Sequence, residues 1–73
     1  MKTGDIIVRD KSGHKGMKAG DMDEILNFHD FIDIDLVKYG VGHSGNSLRL
    51  ATEEEKQQYY AKHGIIVNNY QIY

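Results

Sequence analysis

Seventy-three residues, 40% apolar and 27% charged with a net charge of −2, leave no room for a second domain and do not describe a disordered chain, since it takes low hydrophobicity with high net charge to prevent a core. With no cysteine, the disulfide staple of small secreted domains is excluded, so stability is expected from packing or association in a reducing, cytoplasmic setting. Ile6, Ile7 and Val8 are far too short a run for a signal segment, and nothing approaches the roughly 18 apolar residues of a membrane span.

The first feature along the chain is a doubled tetrapeptide, KTGD at 2–5 and KAGD at 18–21. Each glycine suits a tight turn, and each following aspartate, Asp5 and Asp21, is placed to bond the backbone N–H groups of its own turn. Asp5 to Arg9 reads as the first strand and ends in the turn-forming, charged loop DKSGHKG. Residues 1–20 carry an excess of three positive charges, whereas residues 21–37 carry six acids and no base. One part of the surface is expected to be basic and another acidic.

The segment DMDEILNFHD over 21–30 has two readings. Asp21 with Glu24 resembles a helix N-cap pair, and Met22, Ile25, Leu26 and His29 fall at helical spacing. A strand over 21–29 is preferred, because FIDIDLVKY alternates Ile32, Ile34 and Leu36 with Asp33, Asp35 and Val37 and needs a nearby antiparallel partner. Asp33 and Asp35 are expected on the solvent face of that strand, and their role as a cation site is the weaker reading.

GVGHSG at 40–45 matches the dinucleotide pattern G-x-G-x-x-G. The pattern has meaning only where a helix N-terminus faces the glycines. Here SLRLA follows, a short strand with Leu48 and Leu50 on one face and Arg49 on the other, so GVGHSGNS reads as a loop with His43 at its tip. Thr52 with Glu55 forms a capping box, Glu53 and Glu54 favour the positive end of the helix dipole, and Lys62, His63 and Gly64 make a C-terminal stop. A helix over 53–63 follows, with Tyr59 and Tyr60 as its apolar stripe, expected to pack lightly on the sheet without forming a core. The tail IIVNNYQIY is rich in strand formers; it either closes a barrel or pairs with another chain, as in a homodimer.

Five short strands and one helix, without proline and with glycine at the corners, describe a mainly β domain over 1–73, a small, partly open barrel. The order GDIIV, glycine-rich loop, KAGDMDEIL, IDLVKYG, loop, LRLATEEE resembles SH3-like barrel proteins encoded by bacteriophages, over most of residues 2–58. Asp23, where such barrels more often hold a small or apolar residue, and the tail depart from that pattern. The resemblance implies an SH3-like barrel and a small accessory protein that binds a protein partner such as a host factor.

His14, His29, His43 and His63 lack metal-ligand spacing, there is no G-x-S-x-G, and a chain this small rarely offers a deep cleft. Neither an enzyme nor a cofactor is expected. Candidate partner-binding residues are Tyr39, His43, Tyr70 and Tyr73, since tyrosine combines contact area with a polar tip. The alternative is a nucleic-acid-binding module that uses Arg9, Lys11, His14, Lys15 and Lys18 in the basic 9–18 loop. Against it, the aromatic residues are not interleaved with those charges.

Overall fold

The computed structural model describes residues 1–10 and 15–63. The two tetrapeptides build the same turn twice. In each, the lysine carbonyl accepts from the aspartate N–H (3.1 Å at Asp5, 2.9 Å at Asp21), and the aspartate carboxylate accepts from the lysine N–H at 2.9 Å. Gly4 and Gly20 both have φ of +92°, a conformation that costs other residues about 1–2 kcal/mol. The glycine N–H groups then bond across to the opposite strand, Gly4 to the Ile25 carbonyl and Gly20 to the Arg9 carbonyl, both at 2.8 Å.

Those turns launch β1 (Ile6–Arg9) and β2 (Met22–Asp30), an antiparallel pair with Ile6 opposite Glu24, Ile7 opposite Asp23 and Val8 opposite Met22. Ile25 donates to the Asp5 carbonyl and Arg9 to the Asp21 carbonyl, each at 2.9 Å. Exchanging every residue with the one sixteen positions away maps each of these bonds onto another. The doubled tetrapeptide is therefore the trace of a local two-fold axis through the β1–β2 pair. Ile7 and Asp23 hold equivalent places about it, and both are buried.

Segment 21–29 is a strand, and its helix-like spacing has a physical source. The register between β2 and β3 (Asp33–Leu36) slips between Ile25 and Asn27 and again between Phe28 and Asp30. These bulges put Ile25 and Phe28 inward and Leu26, Asn27 and His29 outward, so the inward period is three instead of two. Strand β3 is shorter than the alternation suggested: Ile34 and Leu36 are buried as expected, but Ile32 is 66% exposed in the preceding turn. Asp35 corrects the sequence reading more sharply. It points to the outer face yet is only 9% exposed, because His29 and the Gly42 backbone cover it.

The segment read as the loop GVGHSGNS is largely ordered pairing. Gly40–His43 forms β4 against β3, with Leu36 opposite Gly40 and Ile34 opposite His43, so that Val41 and Gly42 bulge together opposite Asp35. A 3₁₀ turn, Gly45–Ser47, leads into β5 (Leu48–Leu50), which pairs antiparallel with β1. Leu48 is buried, but Leu50 is 49% exposed, so only one of the two leucines joins the core.

The strand order is β4, β3, β2, β1, β5. Ile7, Met17, Ile25, Ile34, Leu36 and Leu48 meet in one buried cluster, with Met1, Phe28 and Tyr39 packed on it. Side chains from β1, β2, β3 and β5 reach one another only if the sheet curls, which makes the fold a small, partly open barrel. Among the described residues, β4 and β5 are its edges.

Helix α1 (Glu53–Lys62) begins at the expected capping box: Glu55 N–H donates to Thr52 Oγ1 at 3.2 Å, and Thr52 N–H to the Glu55 carboxylate at 2.9 Å. Arg49 on β5 adds a two-pronged ion pair to Glu55, both arms 2.8 Å, and holds that carboxyl down to about 2. The helix does more than rest on the edge. Tyr59 is buried with Ile6, Val8 and Ala51 in a second small core on the outer face of β1, flanked by Met22 and Tyr60. Burial, aided by the Asp23 and Glu24 charges, raises the Tyr59 phenol to about 12. Gly64 and the tail, expected to supply the helix stop and a last strand, lie outside the described residues.

Candidate functional site

Two of the sequence-derived contact residues are interior groups. His43, expected at a loop tip, is fully buried at the end of β4, its Nε2 3.0 Å from the Tyr39 carbonyl oxygen. It faces inward because it pairs with Ile34, so it is not available to a partner. Arg9, expected in the basic loop, is only 6% exposed, because its strand lies between β2 and β5. Lys11, His14, Tyr70 and Tyr73 lie outside the described residues.

Tyr39 is half-buried and firmly placed. Its hydroxyl donates to the Asp21 carboxylate at 3.0 Å and its N–H to the Asp23 carboxylate at 2.9 Å. Burial, then the Asp21 bond, pushes its phenol above the usual value. Asp21 in turn is held below the usual carboxylate value, first by the Lys18 N–H, then by the Tyr39 hydroxyl, with the Lys18 and Lys38 charges adding. The Lys38 ammonium lies 5.2 Å from the Tyr39 ring centroid. Lys15 reaches across from the β1–β2 connection, its Nζ 3.4 Å from where a Gly42 Cβ would be.

The outer face of β2, β3 and β4 carries a second set of residues that sequence reasoning missed. Leu26, outward by alternation after Ile25, and Val41, outward with Gly42 at the β3–β4 bulge, lie on either side of Asp35, and Val37 follows on the same face; their exposures are 50, 64 and 54%. Helix α1 covers the neighbouring part of this face at Ile6, Val8 and Met22 but stops short of these three. The signal was hard to find, because His29 is outward, and Val41 and Gly42 are outward together, only through register slips that no period-two count predicts.

His29 and Asp35 sit in the middle of that face, Nε2 to Oδ2 2.8 Å, with the Gly42 N–H 3.4 Å from the other carboxylate oxygen. The Asp35 bond, then its charge and that of Asp33, raises His29 above 6.5; the His29 bond holds Asp35 below 3.8. The raised imidazole stabilises the fold fully below its unfolded value and loses that effect as pH climbs through its folded value. The lowered carboxyl contributes above its unfolded value and loses that as pH falls through its folded one. The pair therefore contributes most between about pH 4 and 6.5. In urea unfolding the wild type is expected to lose more stability than His29→Gln between about pH 5.5 and 8.5; equal losses would remove the pair from the account.

This dyad has the first two parts of a nucleophile-activating triad, but no hydroxyl of Ser44 or Ser47 bonds to His29: Ser44 accepts from Asn46, and Ser47 donates to the Ser44 carbonyl. Among the described residues no three His, Asp or Glu side chains form a metal-holding group, and no helix is long and apolar enough to cross a membrane. The glycine pattern lies on a strand and a three-residue 3₁₀ turn followed by β5, with no helix N-terminus before α1. The chain matches no family model, no curated protein and no solved structure.

Proposed function

We propose that this chain is a small non-catalytic binding module that takes a protein partner on the outer face of β2, β3 and β4. The supporting observation is the row of Leu26, Val37 and Val41, each at least half exposed on a sheet face that α1 leaves uncovered. Apolar groups gathered on one face of so small a domain favour association, since burying them against a partner removes them from water. The His29–Asp35 pair at its centre supplies a polar contact that is already desolvated on the Asp35 side. A phage-type accessory role with a host factor as partner, in the cytoplasm, belongs to the same proposal and rests on the resemblance of residues 2–58 to phage SH3-like barrels.

The test compares the wild type with Leu26→Lys/Val41→Lys as bait in a bacterial lysate. Neither side chain belongs to a buried cluster, so circular dichroism of the variant is expected to be unchanged. A genuine partner is expected to be retained at least about tenfold less by the variant. If every protein captured by the wild type is captured equally by the variant, this face is not the binding surface.

A further inference from the structure

Three lysines from two separate segments lie near β4 and the turn that precedes it. Lys38 lies over the Tyr39 ring, Lys18 shares the Asp21 carboxylate with Tyr39 through its N–H, and Lys15 extends its ammonium to the bare backbone at Gly42. All three lysines are exposed. In sequence the basic loop and the aromatic residues are separate; the fold interleaves them, because Tyr39 hydrogen-bonds to Asp21 at the end of that loop. The acids that follow are also less available than their number suggests. Asp21 is held by Lys18 and Tyr39, Asp23 is buried under three N–H groups, and Asp35 is paired with His29.

We propose that the surface formed by Lys15, Lys18, Lys38 and Tyr39 binds single-stranded nucleic acid, the ammonium groups taking phosphates and the Tyr39 ring taking a base. A ring with an ammonium over it has a face open to solvent, and a base can occupy that face once Lys38 swings to a phosphate. The ring is held from behind by the first core cluster and at its hydroxyl by Asp21, so stacking loses little side-chain freedom. Gly40 and Gly42, in the strand that follows Tyr39, carry no side chain, which lets a sugar-phosphate strand approach the backbone closely beneath the Lys15 ammonium. Paired bases would be stacked on one another and out of reach of a lone ring, which favours a single strand over a duplex.

The full chain is titrated into a fluorescein-labelled oligothymidylate of about 15 nucleotides, followed by anisotropy, with polyphosphate and polyglutamate as competitors. Binding is expected at about 50 mM salt and is expected to weaken steeply towards 200 mM. Lys15→Gln and Lys38→Gln are each expected to lower the slope of log K against log salt by about 0.7. Tyr39→Phe keeps the ring but loses the Asp21 bond and is expected to weaken binding only slightly, whereas Tyr39→Leu weakens it about tenfold. Because Tyr39 also packs on the core, the lysine variants decide the matter if Tyr39→Leu fails to fold. No binding at about 50 mM salt, an unchanged slope in both lysine variants, or competition by polyphosphate or polyglutamate as effective as by unlabelled oligonucleotide would each overturn the proposal.

Discussion

Asp23→Ala is expected to cost about 3 kcal/mol or more in urea unfolding, over half the stability typical of so small a domain. The Asp23 side chain is 1% exposed and accepts from the Glu24 N–H at 2.8 Å, the Lys38 N–H at 2.8 Å and the Tyr39 N–H at 2.9 Å. Two of those donors belong to the turn between β3 and β4, so one carboxylate fastens that turn to the start of β2. Without it, N–H groups of the turn lose a charged acceptor at a site that water does not readily reach, and bonds to a charged group are worth about 1.5–3 kcal/mol each. Asp23→Asn keeps an acceptor oxygen but turns an NH₂ towards one of the donors, and an intermediate loss is expected. Asp23→Leu is the decisive variant. It restores an apolar residue at the place equivalent to Ile7, so full stability in that variant would make the position an ordinary core site and remove the clasp from the account.

That same residue shows where legibility ended. Ile6 to Arg9, the KTGD and KAGD turns, the capping box at Thr52 and the mainly β class were readable because each depends on neighbours within a few positions. Asp23 was visible only as a departure from a pattern. Its role depends on donors fifteen and sixteen positions away, and nothing local to the sequence brings them together. The outer face was illegible for a related reason: three register slips decide which of Asn27, His29, Val41 and Gly42 point outward, and a slip reverses every count made by alternation. Asp35 was misread by the same mechanism. Alternation placed it on the correct face, but the neighbours that cover it there come from two other strands.

The two surfaces meet at β4. Val41 projects from the apolar row, and the next residue, Gly42, lies under the Lys15 ammonium. A partner on one of the two proposed surfaces would abut a ligand on the other, so their occupancy is expected to be coupled through contact at this strand.

Gly45→Ala is expected to destabilise the fold by about 1–3 kcal/mol, for lack of space and not for backbone conformation. A methyl group there would lie 2.6 and 2.8 Å from the Phe31 ring and 2.8 Å from the Phe31 carbonyl oxygen. The Gly45 N–H donates to that same carbonyl at 2.7 Å, so the turn between β2 and β3 and the 3₁₀ turn are pressed together at this point. Gly40→Ala provides the contrast within the same six-letter pattern. Its φ of +85° carries conformational strain of about 1 kcal/mol, yet its Cβ would meet nothing within 4 Å. Adding Phe31→Ala is expected to recover part of the Gly45→Ala loss by clearing the ring, whereas the carbonyl stays in place and full recovery is not expected. Adding it to Gly40→Ala is expected to recover nothing. Independent, additive effects of Gly45→Ala and Phe31→Ala would show that the contact does not exist. Coupling confined to Gly45 would establish that the last glycine of GVGHSG is there to let two turns touch, which is a reason the pattern shares with no bound phosphate.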